Sequence, residues 1–139
     1  MGKLTKEEII LLYLQDPYKL AGEIIDENVP KSDEIRTLIC DLGDPKCACL
    51  YAYYVDKSPH PDTRQGACKD PICALDYARY IDKSPHPDTR QGSCKDPECA
   101  YYYAEYVDKS PHPDTQQAVQ KDPNWKERYE EWENSLKKM

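Results

Sequence analysis

Phenylalanine is absent from this chain, methionine occurs twice and glycine five times, against 12 tyrosines and 12 prolines. A core without Phe has to be assembled from Tyr, Ala, Ile, Leu and Val. Buried Tyr needs a partner for its hydroxyl, which suits thin layered folds where no residue lies far from water. The glycines form no G-x-G pair, so the phosphate-cradling loop of many nucleotide enzymes is missing. No apolar run reaches the ~18 residues of a helical membrane span, so no membrane insertion is expected. A basic stripe is missing too: 26 acidic residues outweigh 19 basic ones, the net charge is −7, and nucleic acid is not an expected partner. The opening MGKLTKEEIILLYL carries an acidic pair ahead of its apolar stretch and lacks a small-residue cleavage site. It reads as a helix capped by Thr5 with Glu8 as box partner, not as a secretory leader, and points to the cytoplasm.

What is present is a 26-residue unit beginning Asp-Pro, repeated from Asp44, Asp70 and Asp96 and truncated from Asp122. The three full copies read DPKCACLYAYYVDKSPHPDTRQGACK, DPICALDYARYIDKSPHPDTRQGSCK and DPECAYYYAEYVDKSPHPDTQQAVQK. A unit so short cannot bury an apolar face alone and must stack on its neighbours. Asp at the N-cap with Pro at the first helical position starts a helix of about twelve residues, such as Pro71 to Asp82. The K-S-P-H-P-D-T stretch breaks it, because two prolines at that spacing cannot lie in a helix interior. A shorter helix follows, Pro61 to Lys69 in the first copy, with Ser58 or Asp62 as its cap. Gly66 and Gly92 give way to Ala118, which marks a position with helical backbone angles.

The predicted fold is all-α: one short α-solenoid domain over residues 1–139, of about nine helices in antiparallel pairs. Its parts are an N-terminal cap helix (1–15), a degenerate 28-residue copy (16–43) with helices near 17–27 and 33–42, repeats at 44–69, 70–95 and 96–121, and a C-terminal cap helix (122–139). In that last helix Trp125, Tyr129 and Trp132 keep the aromatic positions. Lys126, Glu130 and Glu133 replace small and apolar residues, as a helix with one wet flank requires.

Counting each repeat's Asp as zero, offsets 3, 4, 7, 8, 10 and 11 read Cys, Ala, Tyr, Ala, Tyr and Val or Ile in every full copy. At ~100° per residue they share one arc, the expected core. Offsets 2, 5, 6 and 9 vary on the opposite arc, the expected solvent face. That face carries Leu50, Tyr53, Ile72, Leu75, Arg79, Tyr101 and Tyr102. Two readings stay open there: scattered apolar surface residues, which are ordinary, or a row of Leu, Ile and Tyr forming a protein-binding or self-association surface.

Seven cysteines are the next signal. Cys68 and Cys73 flank one Lys-Asp-Pro corner and Cys94 and Cys99 the next, while the third corner has lost both thiols to Gln120 and Trp125. Joint presence and absence favours corner disulfides Cys68–Cys73 and Cys94–Cys99, worth about 2 kcal/mol each. The competing readings are reduced, buried core thiols and metal ligation. His60, His86 and His112 recur once per repeat, but equivalent residues lie about 8–10 Å apart, too far to share an ion. No zinc spacing is present, and no metal or cofactor is expected. Asp and His recur in the S-P-H-P-D loop along a ridge, where one catalytic group in one pocket would be needed, so no enzyme is expected.

The unit DPxCAxxYAxYVDKSPHPDTRQGACK resembles the short D-P-x-x-A-x-x-Y-A repeats found in tandem arrays of some phage and bacterial proteins of unassigned function. More loosely it resembles leucine-rich-variant and HEAT-like α-solenoids. The likeness covers roughly residues 44–132, with 16–43 as a poor copy. It implies a helical-repeat fold and a binding role, and names no partner. Three functions are compatible with the sequence: a helical-repeat scaffold binding a neutral or basic protein through the variable face, a structural subunit that assembles with itself into an oligomer or filament, and an acidic decoy of a nucleic-acid-binding protein.

Overall fold

The structure, a computed structural model, describes residues 2–138. It is an all-α helical-repeat protein whose neighbouring helices pack in contact, with ten α-helices and no strand among the described residues. That is one above the expected nine; the expected parts, two end helices, two in the degenerate copy and two in each of three repeats, add to ten and all form. Contacts divide the chain into two compact units, Met1–Ala67 and Cys68–Met139. No helix among the described residues is long and apolar enough to cross a membrane.

In the first unit α1 (Lys6–Gln15) starts at a complete capping box: the Glu8 N–H donates to Thr5 Oγ1 and the Thr5 N–H donates to Glu8 Oε1. Helices α2 (Pro17–Ile25) and α3 (Asp33–Asp41) are the degenerate copy, α3 being capped by Ser32. Helices α4 (Pro45–Leu50) and α5 (Pro61–Ala67) follow. Their shared core holds Ile9, Leu20, Ile24, Val29, Ile35, Ile39, Cys47 and Tyr51. The second unit contains α6 (Pro71–Tyr77), α7 (Pro87–Ser93), α8 (Pro97–Tyr102), α9 (Pro113–Val119) and α10 (Pro123–Lys137). Asp16, Asp44, Asp70, Asp96 and Asp122 all act as N-caps ahead of a proline. Each such cap contributes about 1 kcal/mol. The second helix of each repeat is capped differently from expectation. Neither Ser58 nor Asp62 caps α5; His60 Nδ1 accepts from the Asp62 N–H, and His86 and His112 repeat the arrangement on α7 and α9.

The first helix of each repeat changes character half-way. After α4, α6 and α8 the chain continues as π-helix over Tyr51–Asp56, Ala78–Asp82 and Tyr103–Asp108. Each segment ends at a lysine in left-handed conformation, Lys57, Lys83 or Lys109 (φ 56, 56 and 58°). A π turn bonds i to i+5 and holds more residues, so each residue rotates less than the ~100° of an α-helix. Residues past the switch therefore lag behind an α-helical count. Helix α10, which stays α throughout, measures the lag. There Trp132 at offset 10 packs on the core and Glu133 at offset 11 meets the second helix through Gln116. In the repeat before it, Val107 at offset 11 is buried and Asp108 at offset 12 meets Arg90. One residue has been inserted, and it is Tyr106, which stands outside.

The expected core thus holds at offsets 3, 4, 7 and 8, where Ala74, Tyr77, Ala78, Cys99, Ala100, Tyr103 and Ala104 are buried, and at offset 11 for Ile81 and Val107, Val55 being half-buried. It fails at offset 10: Tyr80 and Tyr106 are exposed at 48% and 46%, and Tyr54 is half-buried. The expected solvent face also needs correction. Leu75 and Tyr101 at offset 5 are buried. Leu75 packs with Ala78 of its own repeat and with Tyr103 and Val107 of the next first helix, and Tyr101 packs with Val119 and Tyr129. A first helix in a stack buries two flanks, one on its own second helix and one on the following repeat, and a single-arc reading provides for only the first.

Gly92 serves space, not a special φ. A Cβ there would lie 2.8 Å from Ala74 Cβ and 2.8 Å from the Cys68 carbonyl oxygen. The missing side chain lets α7 sit directly on α6.

Candidate interaction surface

Two sets of buried polar contacts hold each repeat in shape and so fix its outer face. In the second unit the Tyr103 hydroxyl accepts from the His86 N–H (3.0 Å) and lies 2.8 Å from Thr89 Oγ1. Tyr129 does the same with His112 and Thr115 at 3.2 and 2.8 Å. In the first unit Tyr51 accepts from the Ser32 N–H and donates to the Pro30 carbonyl, so Ser32 stands where the later copies have His. These are the partners that the tyrosine-rich core demanded. Burial pushes the Tyr51, Tyr103 and Tyr129 phenols above their ordinary values.

The second set is ionic. Arg36 Nε and Nη2 reach Asp56 at 2.7 and 2.9 Å, and Arg90 Nε and Nη2 reach Asp108 at 3.1 and 2.7 Å. Both are forked pairs, the strongest geometry for a guanidinium on a carboxylate. The carboxylate, by accepting hydrogen bonds, raises the pKa of each arginine. Gln116 and Glu133 form the neutral-donor version at 3.2 Å. These pairs were hidden in the sequence, although the Asp of every Y-V/I-D-K run and the Arg or Gln after D-T recur in it.

With Tyr106 driven outward, the second unit presents a ladder of aromatic rings and guanidinium groups. The Arg79 guanidinium lies 5.1 Å from the Tyr80 ring centroid and 4.7 Å from that of Tyr106. Tyr106 stacks on Tyr102 at 5.7 Å and 16°, and Tyr102 meets Trp125 edge-on at 5.6 Å. Arg128 covers Tyr101 and Trp125 at 5.2 and 5.3 Å. Ile72, 62% exposed, stands on the same helix as Leu75. In the first unit Tyr53 is exposed and meets Tyr54 edge-on at 4.8 Å, while Leu50 packs against the core.

Of the seven surface residues expected from the sequence, Tyr53 and Ile72 are therefore exposed; Leu50, Arg79 and Tyr102 are half-buried; Leu75 and Tyr101 are inside. Tyr80, Tyr106 and Arg128 belong to the surface and were missed. The expected corner disulfides Cys68–Cys73 and Cys94–Cys99 are not formed; all seven cysteines are thiols. Burial, the largest cause, pushes the Cys94 thiol up to about 11 and those of Cys47 and Cys99 to about 12. Cys47 and Cys99 are buried, as the alternative of reduced core cysteines requires, and the other five are half-buried. Among the described residues no group of three or more His, Cys, Asp or Glu is placed to hold a metal ion. Compared with family models, curated proteins and solved structures, the chain matches none.

Proposed function

We propose that the protein is a non-catalytic helical-repeat scaffold that docks a protein partner through the Tyr–Arg ladder on its first helices. The observation that carries this reading is the outward tyrosine at 80 and 106, added by a π turn in each repeat and braced by Arg79. Tyr, Trp and Arg are the residues enriched at binding hot spots. Rings already stacked on guanidinium groups lose little freedom when a partner covers them, so more of the contact energy survives as affinity. The −7 charge favours a neutral or basic partner. The cytoplasm, where thiols stay reduced, fits the unjoined cysteines.

A second reading, self-assembly, is favoured by one observation in the first unit. Leu11, Leu14 and Tyr18 of α1 and α2 are exposed at 59%, 73% and 79%. Light scattering separates it: a concentration-dependent mass that vanishes in Leu11→Ser/Leu14→Ser supports association there, and a monodisperse monomer contradicts it.

The docking reading is tested by affinity capture from the native source with quantitative mass spectrometry. A triple variant, Arg79→Ser/Tyr80→Ser/Tyr106→Ser, is set beside a control, Gln91→Ser/Gln117→Ser, on the second helices. A protein held by the wild type and the control and lost by the ladder variant is the expected result. Equal retention by all three, or loss with the control, contradicts docking through the ladder.

A further inference from the structure

We propose that the corner between α6 and α8 is a socket for an arginine side chain of the protein partner. This rests on the reading that the first-helix face docks protein, and it adds what the partner must bring. The corner encloses about 380 Å³, the size of a small ligand pocket. Ile72, Leu75 and Tyr102 line it with apolar surface, and Asp70, Asp96 and Glu98 line it with carboxylates. Asp70 and Asp96 are held in place as helix caps, accepting from the Cys73 and Cys99 N–H groups at 3.0 Å each. The neighbouring Lys95 turns its ammonium to the Cys68 carbonyl at 3.3 Å. A socket lined with apolar surface and carboxylates fits a side chain with an aliphatic stem and a positive end.

The next corner shows a guanidinium packed on side chains at these positions. One repeat further on, Tyr101 stands at the position of Leu75 and Trp125 at that of Cys99. There the chain's own Arg128 lies over both rings, 5.2 and 5.3 Å from their centroids. In the socket Tyr102 holds the position of Arg128, and with Leu75 and Cys99 beside it a volume of about 380 Å³ stays open. Arg79 against Tyr106 repeats the same chemistry within the unit. Arginine is favoured over lysine because a planar guanidinium packs flat along apolar walls while its fork addresses the carboxylates; an ammonium does only the second.

The test uses the full chain and small probes, so that it does not depend on isolating the partner. Amide NMR spectra are followed during titration with acetyl-arginine amide, acetyl-lysine amide and the neutral acetyl-norleucine amide. The expected result is saturable shifts confined to residues 70–76 and 96–102 with the arginine probe. Binding of the lysine probe should be weaker, and that of the norleucine probe weaker by at least about tenfold, the worth of one charge contact at a partly dry site. Glu98→Lys and, separately, Ile72→Ser, both at exposed positions, should each weaken the arginine probe about fivefold or more while leaving the rest of the spectrum in place. No saturable shift, shifts spread over the whole surface, or equal binding of the three probes overturns the socket. If the socket fails while the ladder variant still loses its partner, docking through the ladder stands without it. If the socket binds while the ladder variant keeps its partner, docking through the ladder falls alone.

Discussion

Removing Asp108 strands the Arg90 guanidinium against α8 and its π extension, and the cost can be worked from the geometry. The pair is forked, and its side chains are exposed by only 15% for Arg90 and 5% for Asp108. Breaking a fully buried pair from one side costs about 3–5 kcal/mol, because the surviving charge keeps its desolvation penalty. Arg90 retains some contact with water, so about 2–4 kcal/mol is expected for Asp108→Ala. Replacing both partners by apolar groups of similar size, Arg90→Met/Asp108→Leu, removes the stranded charge and should return stability to within about 1 kcal/mol of the wild type. Urea unfolding followed by circular dichroism reads the midpoints of the wild type, Asp108→Ala, the single variants Arg90→Met and Asp108→Leu, and the double variant. The cycle should show a coupling of at least about 1 kcal/mol. Strict additivity, or an Asp108→Ala cost below about 0.5 kcal/mol, would refute the view that this pair closes one repeat onto the next.

Tyr103→Phe leaves the His86 N–H without its acceptor at a buried site and should cost about 1–3 kcal/mol by the same unfolding assay; Tyr106→Phe, whose ring stands outside, should change stability by less than about 0.5 kcal/mol. Gly92→Ala separates sequence logic from packing. A helical Gly replaced by Ala ordinarily gains up to about 1 kcal/mol, but a Cβ set 2.8 Å from Ala74 Cβ on α6, and as close to the Cys68 carbonyl oxygen before it, forces α7 off α6. A net loss of about 1–2 kcal/mol is therefore expected, and a higher melting temperature would contradict it. For Cys99, held up to about 12, the thiolate fraction at pH 8 is lower than that of an ordinary thiol by about a thousandfold. Alkylation followed by peptide mass mapping should find Cys47 and Cys99 unlabelled in the folded protein and labelled in urea, with no disulfide-linked peptides at either corner.

Repeat length, the Asp-Pro helix starts and the Thr5 capping box were legible because each depends on a few adjacent residues acting through local hydrogen bonds. The bounds of the first helix, Pro71 to Asp82, were legible for the same reason. What lay between them was not, since a switch from α to π leaves no pattern within one helix and shows only as a one-residue phase difference against α10. That phase sent Tyr80 and Tyr106 outward and Asp108 inward, against a count at a constant ~100° per residue. The burial of Leu75 and Tyr101 depends on the following repeat, a contact no single unit encodes. His60, His86 and His112 as caps were overlooked because Ser and Asp, the usual choices, stood on either side.

The outward turn of Tyr80 and Tyr106 is the feature on which the proposed docking face depends. Nitration with tetranitromethane at mild excess, read out by peptide mass spectrometry, tests it directly. Tyr80 and Tyr106, at 48% and 46% exposure, should be modified early, and Tyr51, Tyr77, Tyr103 and Tyr129, at 0–1%, should stay unmodified until the protein unfolds. Early modification of Tyr103 or Tyr129 with Tyr80 and Tyr106 protected is the pattern that would contradict it.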